Sequence, residues 1–225
     1  YFGRHLIAFL IKNFIFKKLI IFSRDEQKHH KLRELYKNSK IFSKLRFFIG
    51  DVRDRDRLNF AFQDCDIVIH AAAIKHVSFA EENPMECIKT NIIGAENIVH
   101  SSLQNNVEKV LALSTDKASN PINLYGATKL CSDKIFTSAE QIKGNKKIKF
   151  SVVRYGNVSG STGSILETLK KNHLENKDTF NLTDKNMTRF WITANQALEF
   201  VLYCLDEMKG GEIFIPKIPS IKIYD

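Results

Sequence analysis

The chain is 225 residues long, enough for one large α/β domain or two small ones, with 44% hydrophobic and 26% charged residues as in ordinary globular proteins. Its net charge of +9 is spread along the whole sequence, not gathered on one stretch with stacking aromatics. That argues against a nucleic-acid binder and suits a phosphate-bearing small molecule, or plain solubility.

Four scattered cysteines (Cys65, Cys87, Cys131, Cys204) form no C-x-x-C pair, and the seven histidines show no ligand spacing. Neither a disulfide framework nor a metal site is implied, and a reducing cytoplasm is expected. The adjacent His29 and His30 sit in a charged stretch and are expected to be solvated. The apolar stretch near the start, Ile7 to Ile11, is too short to span a bilayer, so no membrane partner is expected. The chain begins without Met, inside what reads as a helix, and is expected to be a fragment.

In chain order, β-branched and aromatic runs at 18–23, 45–50, 66–71, 109–114 and 149–155 read as strands, nearly continuous in apolar character as in a sheet covered on both faces. Between them lie helical stretches at 25–38, 54–62, about 79–104 (interrupted) and 122–143. Alternation of this kind predicts an α/β fold, a Rossmann-like doubly wound parallel sheet. The first strand of such a fold and its Gly-rich turn are missing. Gly3 stands where the last glycine of that turn would open the first helix, or is incidental. After residue 156 come a Gly/Ser turn, a helix, "MTRFWIT", a helix at 195–209 and a short strand "EIFIP". We divide the chain into a dinucleotide-binding domain, 1–155, and a partial substrate-binding region, 156–225, interleaved with it.

Ligands of open α/β sheets bind beyond the carboxyl ends of the strands. That rim holds Ser23, Asp51, Ala71 to Lys75, Ser114 to Lys117 and Tyr155 to Asn157, and every unusual polar cluster of the chain falls on it. Ser23-Arg24-Asp25 follows the second strand of the expected fold. A hydroxyl with a guanidinium makes a phosphate fork and favours NADP, whereas Asp25 would favour NAD or cap the next helix. Asp51, with Val52 beside it, would meet the adenine edge or close a turn. Ala71 and Ala72 would let cofactor backbone pass close by, or simply pack.

Tyr125 and Lys129 share a helix face one turn apart, where an ammonium would draw the phenol's pKa down from about 10. Y-x-x-x-K alone is common; behind a hydroxyl cluster at a strand end it becomes specific.

With "FSRDE", "RFFIGDVRD", "HAAAIKHV", "NPMECIKTNIIGA", "LSTDKASNPINLYGATKLCSDK", "FSVVRYGNVSGS", "MTRFWIT" and "GGEIFIPKIPS", the chain resembles the extended short-chain dehydrogenase/reductases. Within them it is most similar to the inverting UDP-N-acetylglucosamine 4,6-dehydratases of pseudaminic acid biosynthesis. The resemblance implies oxidation of the sugar at carbon 4, loss of water across carbons 5 and 6, and return of the same hydride to carbon 6. Tyr125 would take the 4-hydroxyl proton, helped by Lys129. Thr115 would bond that hydroxyl, Lys117 would abstract the carbon-5 proton, and Asp116 would protonate the departing 6-hydroxyl. Lys117 can do so only as a neutral amine; otherwise it is a surface lysine in a turn.

The resemblance also implies NADP contacts at Gly3, Ser23, Arg24, Asp25, Lys28, Asp51, Val52, Ala71, Ala72, Lys75, Tyr125, Lys129 and Val158. Lys75, Asn157 and Arg189 would meet the UDP-sugar, Arg189 either as a diphosphate partner or in an ion pair at the domain junction. His76 would be a supporting donor or a packed histidine. A homo-oligomer is implied. The dTDP-glucose enzymes carry Asp-Glu where this chain has Asp116-Lys117, and membrane-attached relatives carry Met at the Tyr125 position. One departure is Thr162, where relatives have a basic residue. Two rival readings remain: another enzyme of this superfamily such as a UDP-sugar 4-epimerase, which needs no Asp-Lys elimination pair, and a non-catalytic nucleotide-binding relative.

Overall fold

The computed structural model describes residues 1–160, 172–175 and 184–224; Thr162 and all but residues 172–174 of the helix expected after the Gly/Ser turn lie outside them. The strands form where the apolar runs predict: β1 (Leu19–Ser23), β2 (Leu45–Ile49), β3 (Ile67–His70), β4 (Lys109–Thr115) and β5 (Lys149–Tyr155). The helices follow the same pattern: α1 (Phe2–Asn13), α2 (Glu26–Tyr36), α3 (Arg55–Ala61), α7 (Leu124–Ile142) and α8 (Ala194–Glu207). The interrupted stretch becomes α4 (Val77–Glu82), α5 (Pro84–Ile88), a π-helical turn (Lys89–Ile93) and α6 (Gly94–Gln104). Pro84 causes the first break, since its ring cannot continue α4 but suits the first position of a new helix.

β3, β4, β5 and β8 (Ile213–Phe214) pair in parallel in that order. Alternation along β4 explains the two covered faces. Val110 and Ala112 join Leu58, Ile98, Phe136 and Phe150 in one core, under α3, α6 and α7. Leu111 and Leu113 join Val153, Val201, Cys204 and Met208 in a second core, under α8. Both faces of β4 and β5 are therefore dry, and apolar burial there is the main stabilising contribution.

Among the described residues the parallel strands fall into separate ladders. Among the described residues β1 pairs with β2, in parallel, and no backbone ladder joins β1 to β3, the position of the first strand in the usual strand order of this fold. Phe22 and Phe48 pack against the same core that contains Val68. β1 and β3 are correspondingly less buried than the continuous apolar pattern predicts, with Ile67 half exposed. A third sheet, β6 (Asn157–Val158), β7 (Thr188–Ile192) and β9 (Ser220–Lys222), follows directly after β5, while α8 and β8 return to the main sheet. Residues 156–224 thus contribute to both.

Candidate active site

β4 delivers Thr115 to the rim, and the chain turns at once into a 3₁₀ segment, Asp116–Ala118. The Thr115 side chain caps that segment by accepting the Lys117 N–H at 3.4 Å, and the Ser119 N–H returns to the Asp116 carbonyl at 3.0 Å. α7 starts against this turn. Asn123 Oδ1 accepts the Gly126 N–H at 2.8 Å, and Glu81, from α4, accepts the Leu124 N–H at 2.8 Å. Gly126 permits the contact: a Cβ there would press on the Lys117 carbonyl and lie 3.0 Å from Pro121 Cβ.

The polar groups then form one connected set. Thr115 Oγ1 donates to Asp116 Oδ1 at 2.9 Å and also hydrogen-bonds the Tyr125 hydroxyl. Lys117 Nζ donates to the same Asp116 oxygen at 3.1 Å and to Asn157 Oδ1 at 3.2 Å. The Lys117 side chain is one-third exposed (34%), so it is neither a free surface lysine nor a sealed one. Asn157 reaches it because β6 follows β5 after Gly156 alone. Thr115, Asp116, Lys117, Tyr125 and Asn157 are thereby brought together.

Lys129 is 2% exposed, and its Nζ donates to the Leu113 carbonyl at 2.8 Å. Burial draws its pKa down to about 8, against the pull of Asp133 one turn further along α7. Tyr125 departs from the sequence expectation. Burial pushes its pKa up to about 12, the interaction with the Thr115 side chain opposing. The amine that was expected to lower it is engaged by a backbone carbonyl, and loss of water dominates. Tyr155, opposite Thr115 in the β4–β5 register, is raised as well, by burial and then by Tyr125.

At the end of β1, Asp25 caps α2: Oδ1 accepts the Lys28 N–H at 3.0 Å, and Oδ2 lies 2.6 Å from Lys28 Nζ. Arg24 Nη1 stands 3.6 Å from Asp51 Oδ2, which Arg53 Nη2 holds at 2.7 Å. Burial raises the Asp51 carboxyl, but these cations outweigh it and keep it below the usual carboxylate range. The Val52 side chain belongs to the core, and its carbonyl accepts Asn97 Nδ2 at 3.0 Å. His29 is also corrected: it is 3% exposed, not solvated, and its Nε2 lies 2.8 Å from Ser23 Oγ.

Ala71, Ala72 and Lys75 are exposed after β3, and the space around Gly3 is open. Val158 is buried among Ile192 and Ala197. Arg189, on β7, donates to the Thr188 carbonyl at 2.8 Å and joins no ion pair among the described residues, so the junction ion pair is not formed there. His76 is exposed, its ring edge-on to Phe79, and is therefore not a packed histidine.

Sequence reasoning missed three supports. Asp133, 1% exposed, accepts Arg154 Nε at 2.7 Å behind the Tyr-Lys pair; its place four residues after Lys129 was the available signal. Asn91, in the π-helical turn, donates to the Ile74 carbonyl (3.0 Å) and to Thr128 (3.0 Å) while accepting the Ile74 N–H (2.9 Å). It ties the loop after β3 to α7. π-Turns mark functional sites often, but nothing in the local sequence announces one. Glu81 had no signal.

Comparison with known proteins gives the family. The chain is 54% identical over 222 residues to a UDP-N-acetylglucosamine 4,6-dehydratase (inverting) of Campylobacter jejuni, aligning 99% of itself with 65% of that protein. It thus spans a little under two thirds of that relative's length. The crystal structure of Pen from Bacillus thuringiensis, 38% identical, superposes with a TM-score of 0.94 over 99% of this chain and 68% of Pen. DesIV, the dTDP-glucose 4,6-dehydratase of Streptomyces venezuelae solved with NAD and TYD bound, shares the fold at 20% identity, with a TM-score of 0.83 over 98% of this chain and 73% of its own. The polysaccharide biosynthesis protein family matches from residue 1 to residue 225. The chain belongs to that family, on a short-chain dehydrogenase/reductase fold.

Proposed function

We propose that the protein containing this chain is an NADP-dependent nucleotide-sugar 4,6-dehydratase that acts on UDP-N-acetylglucosamine with inversion at carbon 5. The observation that carries the reading is the hydrogen-bonded set Tyr125–Thr115–Asp116–Lys117–Asn157. An oxidoreductase or epimerase needs the first two of these and Lys129; only an elimination needs an acid and an amine side by side next to them.

The donor set at the end of β1 fits NADP. Arg24, Lys28 and the Ser23 hydroxyl suit a 2′-phosphate, and Asp25, which would favour NAD, is engaged in capping α2. When bound, the nicotinamide would take hydride from carbon 4 of the sugar and give it back at carbon 6. The chain's own residues would do the rest. Tyr125 accepts the 4-hydroxyl proton, with Thr115 fixing the oxygen. Its pKa of about 12 makes the neutral phenol the resting form, so the reading needs the Lys129 ammonium, four residues on along α7, to turn toward it when substrate and cofactor bind and favour the phenolate. A proton passed from Lys117 to Asp116 across their 3.1 Å contact leaves a neutral amine to remove the proton from carbon 5, once the neighbouring ketone has acidified it, and a carboxylic acid to protonate the departing hydroxyl. Asn157 orients Lys117 and contacts the sugar, and Lys75 and Arg189 are candidates for the diphosphate. The reading extends to a homo-oligomer in the cytoplasm that serves pseudaminic acid or another surface glycan.

Incubation of the full-length protein with UDP-N-acetylglucosamine, followed by NMR, tests this. A 6-deoxy-4-keto sugar is the expected product. UDP-N-acetylgalactosamine would replace the reading with a 4-epimerase, and unchanged substrate would refute catalysis. The Lys117→Ala variant should fold and yield no dehydrated product.

A further inference from the structure

The interior of the cofactor rim holds a group with no role in the reading above. His29 lies on the first turns of α2, 97% shielded from solvent, with Nε2 2.8 Å from Ser23 Oγ. Its other nitrogen, Nδ1, is buried and has no hydrogen-bond partner. Buried polar nitrogens without a partner are uncommon and carry a free-energy penalty. Shape does not require an imidazole here, because the ring faces Phe47 at 5.8 Å, where an apolar ring would pack equally well.

The ionisable neighbours are Asp25 and Lys28 on the same turn, Arg24 at the end of β1, and Arg33, whose guanidinium lies over Phe47 at 5.5 Å. Burial lowers the His29 pKa, with Asp25 opposing, so the ring is neutral near pH 7 and has a single N–H to place. Ser23 likewise has one proton. If that proton goes to a ligand oxygen, Ser23 Oγ is left as an acceptor facing Nε2, and the contact persists only if Nε2 carries the hydrogen.

We propose that His29 is a positioning residue for the 2′-phosphate of NADP: its Nε2–H donates to Ser23 Oγ and so aims the Ser23 hydroxyl at the phosphate, between Arg24 and Lys28. The inference rests on the NADP reading of this rim. His29 acts through Ser23, touches no cofactor itself, and helps the chain to distinguish a 2′-phosphate from a 2′-hydroxyl. No proton leaves the protein: the serine hydrogen turns to the phosphate and the imidazole uses its Nε2–H tautomer.

The test uses full-length protein freed of resident cofactor and two probes, 2′,5′-ADP and 5′-AMP, titrated by calorimetry. The wild type should prefer 2′,5′-ADP. In His29→Phe the preference should shrink about tenfold while 5′-AMP affinity stays within about twofold, as expected for loss of one hydrogen bond behind a charged ligand. His29→Gln, whose amide can also donate to Ser23, should recover most of it. A His29→Phe preference equal to wild type, or equal losses for both probes, would overturn the relay and leave the NADP reading standing. Equal affinity of the wild type for both probes would overturn the NADP reading and the relay with it. Should His29→Phe not fold, nitrogen-15 NMR of the wild-type imidazole decides: Nε2 must be protonated in the 2′,5′-ADP complex, and an unprotonated Nε2 there refutes the proposal.

Discussion

Gly126 joins the helix that carries Tyr125 and Lys129 to the turn that carries Asp116 and Lys117, and replacing it with Ala tests whether their spacing matters. A Cβ at this position would press on the Lys117 carbonyl oxygen, lie 3.2 Å from its carbon and 3.0 Å from Pro121 Cβ. None of these neighbours is the free end of a flexible side chain. The helix and the Asp116–Ala118 turn would therefore have to part by roughly 1 Å, a displacement that can reduce catalysis about 100-fold when it falls between reacting groups. The cost in stability should be smaller, about 1–3 kcal/mol for an overpacked contact, and the better helix propensity of Ala offsets about 1 kcal/mol of it. At roughly 2–4 °C per kcal/mol for a protein of this size, the melting temperature should fall by about 8 °C at most. Dehydration of UDP-N-acetylglucosamine by the full-length protein, followed alongside thermal melting, separates the two effects. Wild-type turnover in a folded Gly126→Ala protein would refute the claim that this contact sets the distance between Lys117 and Tyr125.

Two further outcomes follow from the buried charges behind the site. Asp133→Asn leaves the Arg154 guanidinium, in a side chain only 13% exposed, without its carboxylate, and should destabilise the protein by about 3 kcal/mol in denaturant unfolding. A loss under about 1 kcal/mol would show that water already compensates Arg154. Lys129 titrates near 8 when folded against 10.5 when unfolded, so between those values the unfolded chain holds more protons and its contribution to stability grows as pH rises. Relative to Lys129→Met, the wild type should therefore gain on the order of 3 kcal/mol from pH 8 to 10.5. A constant difference across that range would contradict the neutralising effect of burial on this amine.

Sequence by itself determined the elements and their order, because the forces that set them act over a few residues. Continuous apolar runs give strands within a residue or two of β1 to β5, Pro84 breaks the long helical stretch, and Asn123 caps α7. The rim was legible for the same reason: in a parallel sheet every strand end lies on one side, so the chain order alone collects Ser23, Asp51, Thr115 and Asn157. Only tertiary structure decided which of these residues touch and in what electrical state. Ser23 was predicted to face a phosphate, but the imidazole bonded to it could be found only by burying α2 on β2. That the Val52 side chain beside Asp51 packs in the core was likewise a matter for the whole fold. The Tyr125 prediction reversed because a local rule, cation near phenol, competes with desolvation, and desolvation depends on every element stacked above the ring. Spacing along the chain fixes neighbours one turn apart; shielding from water belongs to the whole fold.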